Sequence, residues 1–141
     1  MTNQLQLEIV TPHRTILNEL VDSIIVPGIE GEMGILSEHV PLLTVMDSGI
    51  LSYTIEEKTH SLAVHWGYAQ VDGNSVRILA ELVETSDEID LDRAKEAENK
   101  AKKVLSSSSK NEDSENEDNR QIKYENKLKR SIVRQRLAQM I

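Results

Sequence analysis

The residues that most directly suggest chemistry lie between positions 26 and 51, where glycines, carboxylates and a histidine occur among short apolar runs. Gly28, Gly31 and Gly34 repeat every third residue, which superficially suggests a phosphate-binding loop. Such a loop needs a Lys-Ser/Thr pair or the N-terminus of a helix to receive the phosphate. Here the last glycine is followed by Ile-Leu-Ser and soon by a proline. The glycines are therefore interpreted as turn residues.

Glu30, Glu32 and His39 carry oxygen and nitrogen atoms of the kind that bind metal ions. Their spacing is not a compact ligand pattern, so we predict no metal site. The other histidines are scattered over separate segments, there is no GxSxG motif, and the chain contains no cysteine. We therefore predict no catalytic residues and no enzyme activity for the chain itself.

Charge is distributed unevenly along the sequence. Residues 1–86 have three basic and twelve acidic side chains (net −9), residues 87–119 have six and eleven (−5), and residues 120–141 have seven and one (+6). The basic terminal segment has three interpretations: a solvated helix face, a nucleic-acid contact, or a helix that docks in an acidic protein groove. Nucleic acid is disfavoured because the acidic body would repel phosphates. Docking explains both the charge and the apolar residues Leu128 and Ile132.

The elements that position these residues change character at residue 86. Before it, apolar residues alternate with polar ones in short runs, as in Leu5, Leu7 and Ile9, and a Gly-containing turn is predicted at residues 72–74. Short strands at this spacing predict an antiparallel β-sandwich or flattened barrel. The predicted strands span residues 4–10, 21–26, 35–36, 42–45, 51–55, 61–66, 68–71 and 76–80.

After residue 86 the apolar period becomes helical, with Asp87 or Asp90 as the capping residue. We predict helices over about residues 90–105 and 120–140. The segment between them, residues 106–119, contains no apolar side chain and is predicted to be a flexible acidic loop. The predicted fold is thus α+β and mainly β, with domains at residues 1–86 and 87–141.

The overall composition limits the possible classes. The 141 residues include four aromatic side chains and no Phe, so the core must be aliphatic and modest in size. There is no signal-like N-terminus, and no apolar run approaches the ~18 residues that a membrane span needs. We expect a soluble protein that meets a membrane only through other proteins.

Several separated motifs resemble the epsilon subunit of bacterial F-type ATP synthase, in order and over nearly the whole chain. They are LEIVTP (residues 7–12), PGIEGEMGIL (27–36), HVPLLT (39–44), GYAQV (67–71), VRILAE (76–81) and IDLDRA (89–94).

The resemblance implies a ten-stranded N-terminal sandwich that packs on the gamma subunit and contacts the membrane c ring. It places Glu30, Gly31 and Glu32 against the c ring, with His39 in the adjoining motif. The protein would then lie peripherally at the cytoplasmic face of the bacterial membrane and couple rotation of the ring to the catalytic head.

The resemblance also implies that the two C-terminal helices are mobile and inhibit ATP hydrolysis when they extend toward the alpha and beta subunits. Arg130, Arg134 and Arg136 are the expected contacts to an acidic segment of beta.

Some family members bind ATP on these helices as a regulatory ligand, although no cofactor is required. The positions that match that site are Glu84, Ile89, Asp90, Arg93, Lys100, Arg130 and Arg134. Lys100 stands where the family usually has arginine, and lysine lacks the planar fork of a guanidinium group. The alternative function is a stand-alone ATP-sensing module, and an enzyme built on the sandwich ranks below both.

Overall fold

The computed structural model of the protein describes residues 4–107 and 114–140, without the side chains of His39, Ser107 and residues 114–118. The chain divides into two compact units, Met1–Ser86 and Asp87–Ile141. In the described residues the first unit has eight strands: β1 Leu5–Val10, β2 Thr15–Val21, β3 Ser23–Gly28, β4 Gly31–Ile35, β5 His39–Met46, β6 Gly49–Ile55, β7 Lys58–Gly73 and β8 Ser75–Glu84.

The strands follow one hydrogen-bonded path, β2-β1-β8-β7-β5-β3-β4, and β6 pairs with both β3 and β7. Neighbouring pairs are antiparallel except β1 and β8, which are parallel. The long strand β7 pairs with β6 through residues 58–64 and with β5 through residues 67–73. It therefore belongs to both layers of the β-sandwich.

Strand β7 changes layers at Trp66 and Gly67, which have φ angles of 52° and 147°. Both values lie where L side chains are disfavoured. Trp66 adopts such a value despite its Cβ, and Gly67 tolerates its own because glycine lacks a Cβ. A Cβ on Gly67 would lie 1.8 Å from the carbonyl oxygen of Leu79 in β8. The glycine thus permits the close approach of two backbones at the corner of the sandwich.

The core lies between the two layers and is aliphatic, as the composition predicts. Leu5, Leu7 and Ile9 of β1 have no exposed surface, and Val76 and Ile78 of the neighbouring β8 are equally buried. The alternating side chains of these strands point outward, which is the period-two pattern of a sheet with one covered face.

The fold confirms the predicted β-sandwich followed by two helices, with three differences in detail. The described residues form eight strands, not about ten, because β7 and β8 each continue past the corner instead of being divided there. The predicted strands at residues 61–66 and 68–71 are one strand. Strand β2 was missed altogether: it pairs with β1, and most of its side chains are exposed.

In the second unit, a short 3₁₀ turn at Ser86–Glu88 precedes α1 (Leu91–Ser107), which is followed by α2 (Ser114–Gln139). The backbone N–H of Arg93 donates to Oδ1 of Asp90 at 3.1 Å, which confirms Asp90 as a capping residue. None of the described helices is both long enough and apolar enough to cross a membrane.

The two helices bury small and medium side chains: Ala94 and Ala101 from α1, and Val133 and Leu137 from α2. A polar contact joins them where the Gln135 amide donates to Oε2 of Glu98 at 2.6 Å.

The predicted helix bounds were too short. Helix α1 continues to Ser107, and α2 begins at Ser114 instead of residue 120, so the predicted loop 106–119 is wrong at both ends. The sequence of residues 114–118 has three acidic residues, and carboxylates at a helix N-terminus are favoured by the macrodipole. The acidic run was mistaken for a loop, and the remaining loop positions 108–113 lie outside the described residues.

Candidate functional site

The first candidate surface is the hairpin that joins β3 and β4. Glu30, Gly31 and Glu32 are all exposed, and Gly31 has a φ of 129° that favours glycine at this turn. Backbone hydrogen bonds fix the hairpin to the end of β5: the N–H of Ile29 donates to the carbonyl of Val45, and the N–H of Asp47 donates to that of Pro27, both at 3.0 Å. The result is a firmly held turn that presents two carboxylates to solvent.

His39 was predicted to join this hairpin in a contact surface. Its backbone pairs with Gly73 at the β7–β8 turn, and its side chain lies outside the described residues. The hydrogen bonds that hold the hairpin instead involve the end of β5, where Val45 and Met46 lie.

A second candidate surface is an apolar band on the outer face of β5, β7 and β8. Val45 pairs with Tyr68, and Tyr68 pairs with Leu79, so the three residues form one row across three strands. They are 44, 53 and 42% exposed. Leu43, two residues before Val45 on the same face, is also exposed. Large side chains in one exposed row are typical of a surface that meets another protein.

A buried polar chain lies near the corner of the sandwich and was not predicted. Nδ1 of His65 lies 2.7 Å from Oγ of Ser48, in the β5–β6 turn, and its Nε2 lies 2.9 Å from Oε1 of Glu84, at the end of β8. His65 is 1% exposed. The residue types are those of a nucleophile, base and acid, but a substrate cannot reach an imidazole buried this completely. The arrangement therefore holds strands together instead of performing a reaction.

The predicted ATP-binding residues fall in both units and are described unit by unit. Glu84 ends β8 and is hydrogen-bonded to His65. In the second unit Asp90, Arg93 and Lys100 are exposed and Ile89 is half-buried. Arg130 and Arg134, one turn apart on α2, are also half-buried.

The outward face of α2 carries the basic charge together with apolar side chains. Arg136 is exposed, as are Ile132 and Met140, whereas Val133 and Leu137 are buried. The apolar residues that the sequence placed on one stripe are therefore divided between a buried and an exposed face. Of the three arginines predicted to contact beta, Arg136 is exposed, whereas Arg130 and Arg134 are half-buried.

The pKa values of Glu98 and Tyr53 are shifted. Hydrogen bonds from Lys102 and then Gln135 lower the pKa of Glu98 in the helix pair. Burial, and secondly the nearby charge of Glu19, raise the pKa of Tyr53 in the sandwich. Among the side chains that the structure describes, no group of three His, Cys, Asp or Glu is placed to hold a metal ion.

Comparisons with known proteins cover both units. Residues 4–86 match the family described as ATP synthase, Delta/Epsilon chain, beta-sandwich domain. The ATP synthase epsilon chain of Carboxydothermus hydrogenoformans is 47% identical over 105 residues, which cover 74% of this chain and 78% of that protein. The protein of the same name from Trichlorobacter lovleyi is 38% identical over 139 residues, which cover 98% of this chain and 96% of that protein.

Among solved structures, a chain of the Euglena gracilis mitochondrial ATP synthase, in an assembly of OSCP, F1 and c-ring, has a TM-score of 0.81 at 24% identity. The match covers 100% of this chain and 84% of that one. At this level of identity the likeness concerns the fold.

Proposed function

The chain belongs to the ATP synthase epsilon-chain family, and from this membership we propose that it is a non-catalytic subunit of the central stalk that couples rotation of the c ring to the catalytic head. It would lie at the cytoplasmic face of the bacterial membrane and be attached there through the complex. The observation that carries the proposal is the apolar row Val45, Tyr68 and Leu79, because an exposed row of this kind needs a partner.

We assign this apolar row to the gamma subunit. Its three members come from three adjacent strands that are joined by backbone pairing, which suits a lasting contact between subunits. The exposed β3–β4 hairpin, with Glu30 and Glu32, is assigned to the polar loops of the c ring. Two backbone hydrogen bonds hold its turn to the end of β5, which supports a role in transmitting torque.

The gamma contact is tested by binding to purified gamma. Replacing both Tyr68 and Leu79 by Ser should lower the affinity by about tenfold or more, since large residues at the centre of an interface carry most of its energy. Ile25→Ser is the control, because Ile25 is 44% exposed, close to the 42% of Leu79, but lies on β3. Equal losses in both variants would contradict the assignment.

We further propose that the helix pair inhibits ATP hydrolysis. Residues 120–141 have a net charge of +6, and the exposed face of α2 combines Arg136 with Ile132 and Met140. Such a face can dock on an acidic and partly apolar surface, and the beta subunit, with alpha beside it, is the proposed partner. Arg130 and Arg134 would join Arg136 in this contact.

The test is ATP hydrolysis by the reconstituted catalytic head with gamma. The assay compares three samples: the full-length chain, a chain that ends at residue 113 and therefore lacks α2, and no added chain. Inhibition by the full-length chain alone is expected. Ile132→Ser with Arg136→Ala should weaken inhibition, whereas Lys95→Ala with Lys103→Ala on α1 should not. Undiminished inhibition by the truncated chain would refute the proposal.

ATP is proposed as a regulatory ligand, and the proposed binding residues are Glu84, Ile89, Asp90, Arg93, Lys100, Arg130 and Arg134. Lys100→Arg should tighten ATP binding, because a guanidinium group binds phosphate through two parallel hydrogen bonds. Lys103→Arg, three residues further along α1, is the control. Calorimetric titration with ATP measures the affinity of both variants as isolated chains. A chain that binds ATP but not gamma would instead be the stand-alone sensor.

A further inference from the structure

The hydrogen-bonding partners of His65 determine where its protons lie. An ionised Glu84 carboxylate accepts hydrogen bonds but cannot donate them, so the Nε2 of His65 must carry a hydrogen and donate it. In the neutral imidazole, Nδ1 is then an acceptor, and the hydroxyl of Ser48 donates to it. Each end of the ring thus has a different and specific partner.

The β5–β6 turn that carries Ser48 is itself bonded to β3. The backbone N–H of Asp47 in this turn donates to the carbonyl of Pro27 at 3.0 Å, and the N–H of Ser48 donates to Oδ1 of Asp47 at 2.8 Å. At the other end, Glu84 is the last residue of β8, and the chain leaves the sandwich directly after it. The buried imidazole is the link between the hairpin side and this exit.

We propose that His65 is a positioning residue that anchors Glu84, and with it the end of β8, to the β5–β6 turn and the β3–β4 hairpin. The polar chain Ser48–His65–Glu84 then sets how firmly the sandwich holds the residues that lead into the helix pair. Its regulatory consequence rests on the proposed inhibitory function: loss of the His65–Glu84 hydrogen bond alters the freedom of the helices and hence the degree of inhibition.

Two conservative substitutions separate positioning from packing. The amide nitrogen of Gln reaches the place of the imidazole Nε2, so His65→Gln retains a donor for Glu84. The shorter Asn reaches the place of Nδ1, so His65→Asn retains a partner for Ser48 and loses Glu84. Ser48→Ala removes the other end of the chain. Ser52→Ala is its matched control, because Ser52 pairs with Ser61 at 3.0 Å in the same sandwich.

The first measurement is amide hydrogen exchange at residues 84–88 of the full chain. Loss of a hydrogen bond to a charged group should raise exchange there by about tenfold or more in His65→Asn, and much less in His65→Gln. Ser52→Ala should leave these amides unchanged. Equal effects of Asn and Gln, or faster exchange spread evenly over β7 and β8, would show that His65 acts by packing and would overturn the proposal.

Two further readouts keep the outcome decisive. Nitrogen NMR of the wild-type imidazole should show a hydrogen on Nε2 and a bare Nδ1 at mildly alkaline pH; the opposite tautomer overturns the proposal even if the variants do not fold. Inhibition of the reconstituted head is then compared for wild type and His65→Asn. If the wild-type chain does not inhibit hydrolysis, the proposed inhibitory function is wrong, and the hydrogen-exchange result still tests the positioning role of His65. If both inhibit equally, the regulatory consequence is wrong.

Discussion

Substitution of Gly67 by Ala tests the account of the sandwich corner most directly. The added Cβ would lie 1.8 Å from the carbonyl oxygen of Leu79, 2.8 Å from its carbonyl carbon and 2.9 Å from Cα of Ala80. All three are backbone atoms of β8, and none can rotate away as a side chain does. The paired residues Gly67 and Ala80 must therefore separate.

The expected loss of stability has two parts. A non-glycine residue held in a backbone region that L side chains rarely adopt costs about 1–3 kcal/mol. Opening the ladder at this pair removes about two hydrogen bonds, each contributing about 1 kcal/mol net. The sum of about 3–5 kcal/mol is a large part of the ~5–15 kcal/mol by which a domain is stable.

Two other glycines supply a graded control. Gly73 has a φ of 63° and nothing within 4 Å of an added Cβ, so Gly73→Ala should cost about 1–2 kcal/mol from the backbone alone. An added Cβ on Gly34 also meets nothing within 4 Å, and no left-handed φ is needed there, so Gly34→Ala should be nearly neutral. Urea unfolding followed by circular dichroism ranks the three variants. A loss at Gly67 no greater than that at Gly73 would refute the close-approach argument.

Three further predictions concern charge and packing. The hydrogen bond from Lys102 lowers the pKa of Glu98, so the stability that this bond contributes is present above the ordinary pKa of Glu and is lost as the pH falls through the lowered value. Glu98→Gln should remove this acid dependence and lower the free energy of unfolding by about 0.5 kcal/mol. Thermal melts across acid pH measure both effects. Because burial and then Glu19 raise the pKa of Tyr53, stability should fall as the pH rises through that raised value, and Tyr53→Phe should abolish this alkaline loss in urea titrations. Ala101→Leu should destabilise the helix pair by about 1–3 kcal/mol, measured by helical circular dichroism, because Ala101 is fully enclosed.

The parts of the fold that could be predicted from sequence are those whose signal is local. Strand β1 alternates strictly, the turn before Ser75 contains Gly73 with a positive φ, and Asp90 caps α1. Strand β2 was not predicted. It is an edge strand that pairs with β1 and has few buried side chains, so its apolar residues need not alternate with polar ones. Strand β7 was predicted as two strands, at residues 61–66 and 68–71, because Gly67 interrupts the pattern at the corner while the strand itself continues through it.

The candidate site divides in the same way. The exposed hairpin at Glu30 could be identified because glycine and proline mark turns locally. The polar chain at the corner could not, because Ser48, His65 and Glu84 are separated by 17 and 19 residues, and tertiary folding alone brings them together. The apolar row across β5, β7 and β8 depends equally on the pairing register, which no single strand contains.

The two units differ in how strongly their contacts can hold them. The sandwich encloses a cluster of large aliphatic residues, several with no exposed surface, from most of its strands. The helix pair is joined chiefly by Ala94, Ala101, Val133 and Leu137, and alanine buries little apolar area. Because less apolar area joins the two helices to each other, they separate at a lower cost than the layers of the sandwich do. The proposed function requires this asymmetry between a rigid body that transmits rotation and a more weakly joined helix pair.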